Sequence, residues 1–116
     1  MKRGWQHHET YVAGVLGLDT TLASGALFHD PGDAVTRGHS PFPLYADCKY
    51  TVHHSFSIKD RQLRQYAHRA AELGRRLILP IRFWPYEEHD PQDWVVISLH
   101  DLRELMDLIP QDKEVI

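Results

Sequence analysis

The sequence predicts an α/β fold in which one mixed central β-sheet is flanked by α-helices. Three observations carry that expectation. Segments with helical spacing of apolar residues alternate with short strand-like runs, in the order helix, three strands, helix, two strands, helix. The run 44–52 alternates small apolar and polar side chains, the pattern of a strand with one covered face. The run 77–83, LILPIRF, is largely apolar, as a buried strand is. A chain of 116 residues can bury one core without staples, so residues 1–116 are expected to form a single domain whose end, 110–116, frays.

Each element has its own warrant. Between residues 3 and 16, Trp5, Val12, Val15 and Leu16 fall on one helical stripe with His8 in register, and Gly17 is a natural stop. Glu9 borders that stripe and can point towards the sheet. Residues 18–27 form an extended or looped entry to the first strand. His29-Asp30-Pro31-Gly32 is turn chemistry, and residues 33–36 then begin a strand. The segment 37–43, RGHSPFP, is an exposed hairpin tip, and 44–52 is its second arm. Ser57-Ile58-Lys59-Asp60 matches a capping box, followed by a helix with Leu63, Tyr66, Ala67, Ala70 and Leu73 on one stripe and Gly74 at its stop. Pro80 cannot donate to a ladder, so the strand 77–83 is expected at an edge or bulge. After a polar loop at 84–91, Trp94 to Ser98 make a short strand. Leu102, Leu105, Met106 and Ile109 then make a terminal helix.

Composition excludes several classes. No apolar run approaches the roughly 18 residues of a membrane span, the cationic start lacks an apolar signal region, and one cysteine forms no internal disulfide. A reducing compartment, the cytoplasm, is expected. No glycine-rich phosphate loop is present, which argues against a nucleotide cofactor. Net charge is −3, yet seven cations face two acids between Lys59 and Arg82, while the chain from Glu87 onward is strongly acidic. A chain polarised this way can attract a phosphate backbone with its middle.

The chemistry concentrates on the hairpin 32–51. In a strand Asp47 and Lys49 share one face while Ala46, Cys48 and Tyr50 share the other, and Asp33 can reach the first pair from the partner strand. Phosphodiester cleavage needs a strong nucleophile and stabilisation of added negative charge, which carboxylate-held Mg²⁺ supplies. Asp33, Asp47 and Glu9 are the expected carboxylates, with Mn²⁺ able to substitute for Mg²⁺. Lys49 is placed to orient the attacking water or to offset charge on the phosphorane. Arg37, Lys59, Arg61, Gln62 and Arg64 are the expected DNA contacts.

In these residues the chain resembles the PD-(D/E)xK nuclease superfamily, and within it the archaeal-type Holliday junction resolvases and their phage relatives. The resemblance runs from Gly4 to about Phe83. It is carried by Gly4-Trp-Gln-His-His-Glu9, Ala23-Ser24-Gly25, Asp33, Asp47-Cys48-Lys49, and Gln62 with Tyr66 four residues on. Glycine stands before Asp33 where the superfamily name implies proline, and the second acid is the shorter aspartate. The resemblance implies a restriction-endonuclease-like core, metal ligation by Asp33, Asp47, Glu9 and the Cys48 carbonyl, and a phosphate contact from Ser24. It further implies a homodimer that resolves four-way junctions by paired nicks in recombination and repair. Trp84, Tyr86, Trp94 and the Pro80 strand are the aromatic and apolar candidates for the dimer patch.

Blander readings stand beside these. Asp33 can be a turn residue, Asp47 and Lys49 a surface pair, and Glu9 an ordinary helix glutamate. The nine histidines offer no HxxxH spacing and no CxxC partner, so structural zinc is not expected; His7 and His53 are candidates for proton transfer. The functional alternatives are a restriction-like or repair endonuclease acting on duplex or flap DNA, a non-catalytic DNA-binding module, and a small interaction domain.

Overall fold

The computed structural model describes residues 4–20, 33–83 and 93–110. In chain order these form α1 (Gly4–Leu16), β1 (Asp19–Thr20), β2 (Ala34–Val35), β3 (Leu44–Ala46), β4 (Lys49–Thr51), α2 (Asp60–Glu72), β5 (Arg76–Phe83), β6 (Asp93–Val96) and α3 (Leu99–Asp107). The fold is α/β, with the six strands in one mixed open sheet. β1, β2 and β3 are antiparallel neighbours. β3 and β4 both run parallel to β5, reached through α2, and β6 lies antiparallel on the other side of β5. None of the helices among the described residues is long and apolar enough to cross a membrane.

Side-chain alternation sorts the core into two faces. Ala34, Ala46 and Ile78 pack with Ala13 of α1 and with Leu18, and Leu44 and Cys48 join them. Tyr45, Leu77 and Leu79 pack with Ala70 of α2, joined by Val35, Leu63 and Tyr66. The period of two therefore survives across β2, β3 and β5. Cys48 belongs to the α1 face, and Lys49 meets Tyr66 on the α2 face.

Several expectations are corrected. The arm 44–52 is two strands, because the ladder opens at Asp47 and Cys48. Its cause lies in β5. The Asp47 N–H donates to the Ile78 carbonyl at 3.0 Å, so the next rung of a parallel ladder calls for an N–H at position 80, which proline lacks. The ladder resumes at Lys49↔Ile81 in unchanged register. Pro80 is thus neither at an edge nor at an exposed dimer patch; it is fully buried in the central strand. The capping box at Ser57 does not form. Ile58 packs into the α2-face core, Lys59 stays extended, and α2 begins at Asp60 with no side-chain cap. Gly74 does stop this helix, at φ 71°, a left-handed value glycine adopts without strain.

The α1 stripe is rotated from its expected position. His8, Val12 and Ala13 are buried, whereas Val15 and Leu16 are exposed. At the hairpin tip Phe42 is buried, with the Arg76 guanidinium 5.1 Å from its ring centroid. The terminal helix, α3, ends at Asp107, before Ile109, and buries no residue. Ser98 caps it, accepting from the Asp101 N–H at 3.0 Å. Arg76 anchors it through Asp101 at 2.6 Å and Glu104 at 2.5 Å. The turn at 29–32, the Ser24-Gly25 pair, the 84–91 loop with Trp84 and Tyr86, and the tail 111–116 lie outside the described residues.

Candidate functional site

The opening between β3 and β4 is where the predicted residues gather. Asp33 precedes β2 and donates its own N–H to the Ala46 carbonyl at 2.8 Å, which holds it level with Asp47. Its Oδ2 accepts the Cys48 N–H at 2.7 Å. Asp33 therefore reaches from the β2 side to the Cys48 amide, the residue between Asp47 and Lys49. Asp47 and Lys49 share a face and form an ion pair at 3.0 Å, both side chains mostly shielded from solvent. Lys49 also donates to the Tyr66 hydroxyl at 3.0 Å, with its Nζ 4.6 Å from the ring centroid. Burial works against the ammonium charge, but Tyr66 and Asp47 together push the Lys49 pKa above its ordinary value. Lys49 is held charged at the α2 side of the opening.

Glu9 comes from the other face, on α1. Its pKa is raised from 4.5 to about 7, first by burial and then by the negative charges of Asp33 and Asp47. The three carboxylates are thus electrostatic neighbours although they come from three segments. Their ligand atoms are not drawn together, however. Among the described residues the one set of three such groups with ligand atoms within 4.8 Å of one another is His100, Asp101 and Glu104. That set lies on α3 and already holds the Arg76 guanidinium between its two acids, with His100 exposed. Cys48 is no thiolate ligand: burial first, then Asp33, Glu9 and Asp47, push its thiol pKa upward.

The expected DNA contacts divide by position. Arg37 is at the hairpin tip, level with Pro43 and so about 13 Å along the strand direction from Asp47, and pairs with Asp19. On α2, Gln62 lies about 40° round the helix axis from Tyr66, beside Lys49, whereas Arg61 and Arg64 lie about 140° and 160° away; Lys59 precedes the helix in an extended conformation. Arg64 is paired with Asp60 at 2.7 Å. His7 and His53, the proton-transfer candidates, are exposed. Ser24 lies outside the described residues.

Sequence reasoning missed a buried cluster behind Glu9. His8 is fully buried, and neither ring nitrogen has a hydrogen-bond partner. Its Nε2 lies 3.5 Å from Asp93 Oδ1, and Asp93 in turn accepts two hydrogen bonds from Arg82, each 2.7 Å. The Arg82 guanidinium stands 5.0 Å from the Tyr11 ring centroid. Burial lowers the His8 pKa from 6.5 to about 4, with Asp93 opposing and Arg82 adding to the depression. The signal was present in the helical register of His8 with Val12; Asp93, far along the chain, had none.

Comparison with known protein families, with curated proteins and with solved structures yields no match.

Proposed function

We propose that the chain is a Mg²⁺-dependent, structure-selective DNA endonuclease that resolves four-way junctions by paired nicks. The observation that carries this reading is the meeting of Asp33, bound to the Cys48 amide, and Asp47, paired with Lys49, at the opening between β3 and β4, beside a Glu9 whose pKa is raised first by burial and then by those two acids. Three acids repelling one another beside a fixed lysine form an arrangement that a divalent cation relieves. The donor chemistry fits a hard cation, since the groups are carboxylates and the one thiol is held protonated. Asp33, Asp47 and Glu9 would hold Mg²⁺, or Mn²⁺ in its place, with the Cys48 carbonyl beside them. The ion supplies charge neutralisation at the phosphate and a more acidic water.

The chain's own residues do the rest. Lys49 positions the attacking water or the phosphate oxygen, oriented by Tyr66. Asp33 fixes the Cys48 backbone. Lys59 and Gln62 follow the phosphate backbone on the Lys49 side of α2. The antiparallel β1-β2-β3 leading through α2 into parallel β5 is consistent with a restriction-endonuclease-like core. Two nicks need two sites in fixed relation, which a twofold dimer supplies. Trp94 and the apolar side of α3 are the surface for it, with Leu99 82% and Met106 51% exposed.

A labelled four-way junction, flap and linear duplex, each with and without Mg²⁺, test the reading beside Asp33→Asn. Paired symmetric nicks confined to the junction and lost in the variant support it. Equal cutting of linear duplex favours a restriction-like or repair endonuclease instead. A second reading, a DNA-binding module without catalysis, is favoured by the commitment of Asp47 to Lys49 and by the ungathered ligand atoms. It predicts junction binding without cleavage in either metal.

A further inference from the structure

We propose that the cleft between the hairpin tip and the end of α2 is a phosphate subsite. In it Arg75, with His39 and Ser40 of the same cleft, holds a backbone phosphate of a DNA strand whose cut phosphate lies at Asp33 and Asp47. The link to the acids rests on the nuclease reading above, whereas the anion site rests on the arginine and its cleft.

The sequence Leu73-Gly74-Arg75 places the arginine. Gly74, at φ 71°, closes α2 in a Schellman turn, its N–H donating to the Ala71 carbonyl and the Arg75 N–H to the Ala70 carbonyl, each at 2.9 Å. Two carbonyls of the last turn are thereby occupied, which blunts the negative end of the helix dipole. The Arg75 side chain turns to the hairpin and donates one of its N–H groups to the Thr36 carbonyl at 3.3 Å. A cleft of about 200 Å³ lies here, lined by Gly38, His39 and Ser40 of the tip and by Leu73, Gly74 and Arg75. That is well beyond the roughly 10–15 Å³ that one water needs.

The charge in the cleft is uncompensated. Two neighbouring arginines are neutralised, Arg37 by Asp19 and Arg76 by Asp101 and Glu104. Among the described residues Arg75 has no carboxylate partner, and its hydrogen bond goes to a neutral carbonyl. A half-buried guanidinium with most of its donors left over presents a planar fork that matches phosphate oxygens two at a time. Ser40 Oγ accepts the Phe42 N–H at 3.0 Å, which leaves its own O–H to donate. The exposed His39 ring carries an N–H in either protonation state. The cleft also lies in line with the acids. Thr36 bonds to Leu44, three residues along the ladder from Asp33 and Asp47, a span of about 10 Å or about three nucleotide rises. Leu73 is about 20° round α2 from Tyr66, so the cleft is on the side of the helix that Lys49 meets.

The test titrates wild type, Arg75→Gln, Arg75→Lys and His39→Ala with a labelled four-way junction over a range of salt, metal-free, and then reads cleavage with Mg²⁺. ¹⁵N spectra of the wild type are recorded against the same DNA and against inorganic phosphate alone. Arg75→Gln should bind the junction about 10-fold more weakly, as the loss of a charge-assisted bond does, and should lower the slope of log affinity against log salt by about 1. Arg75→Lys should restore the slope but not the full affinity, because the charge returns without the fork. His39→Ala, which leaves the Thr36 contact intact, should weaken binding by about 2–10-fold and decides the matter if the Arg75 variants do not fold. The Gly38, His39 and Gly74 amides should shift with DNA. A strand cut back to fewer than about three nucleotides on the cleft side of the nick should be cleaved alike by wild type and Arg75→Gln. An arginine that only ties the helix end to the hairpin would lower both melting temperatures and leave the salt slope at the wild-type value. That result overturns the proposal, as do amides that shift with inorganic phosphate and not with DNA. An Arg75-dependent slope without any cleavage defeats the nuclease reading and leaves the subsite standing, whereas cleavage indifferent to Arg75 does the reverse. A wild type that binds no DNA defeats both.

Discussion

Replacing Glu9 with glutamine separates the convergent-acid reading from that of an ordinary helix glutamate. Glu9 has a folded pKa of about 7 against an ordinary 4.5, so between those values the folded protein holds a proton that the unfolded chain has released. Stability should accordingly fall as pH rises from about 4.5 through 7, and the loss should be complete above that. A displacement of this size corresponds to about 3 kcal/mol at full strength. Glu9 is only half-buried, so solvent screening reduces the expectation to about 1 kcal/mol. Glu9→Gln should therefore unfold about 4 °C higher than wild type at pH 8, and at the same temperature as wild type near pH 4. Mg²⁺ should reverse the order at pH 8, because the cation stabilises the wild-type acids by mass action and finds one fewer in the variant. Differential scanning calorimetry from pH 4 to 9, with and without Mg²⁺, reads all of this. Parallel melting curves at every pH would show that Glu9 feels neither Asp33 nor Asp47.

His8 should titrate in the opposite sense. Its pKa is lowered from 6.5 to about 4, so stability present above 6.5 is lost as pH falls towards 4, and His8→Phe should remove that acid loss in the same calorimetric series. Lys49→Met should cut cleavage by about 10²–10³-fold, and single-turnover kinetics at saturating Mg²⁺ should place the loss in the chemical step. Asp33→Ala, which leaves the Cys48 N–H without its acceptor, should cost about 1–2 kcal/mol in urea unfolding, and equal stability would deny that bond its role. Lys59→Ala should lower the slope of log affinity against log salt for junction DNA by about 1, while Arg64→Ala leaves it unchanged. The reverse outcome would turn the DNA to the other side of α2.

The legible part of this fold is what local periodicity encodes. The alternation that sets Asp47 and Lys49 apart from Ala46 and Cys48 needs only neighbouring residues, and it holds because the register of the line is the same on both sides of the gap. The gap itself was illegible from residues 44–52, since its cause is a proline far downstream that reaches them only through the ladder. The capping box failed for a related reason. Ser57 and Asp60 have the right spacing, but Ile58 between them is drawn into the α2-face core, which keeps that stretch extended. The histidines show the limit of composition. Adjacent His7 and His8 look alike in the sequence, yet the helix turns one to water and the other into the core. The site acids were legible as residue types in an expected order. Their approach from opposite faces of the sheet depends on how α1 is seated.

The seat of α1 is built around alanines, with Ile78 beside them. Ala13 on the helix and Ala34 and Ala46 on the sheet are all buried where the two meet, while the α2 face carries Tyr45 and Leu79 instead. One side of this sheet is therefore shallow and the other deep. Side-chain bulk sets how closely a helix can approach its support, and close packing transmits even a methylene. These three methyl groups act as a gauge for the height of Glu9 above the broken strand. A valine at Ala34 or Ala46 would raise the helix like a shim, carrying Glu9 away from Asp33 and Asp47 without touching any charged group.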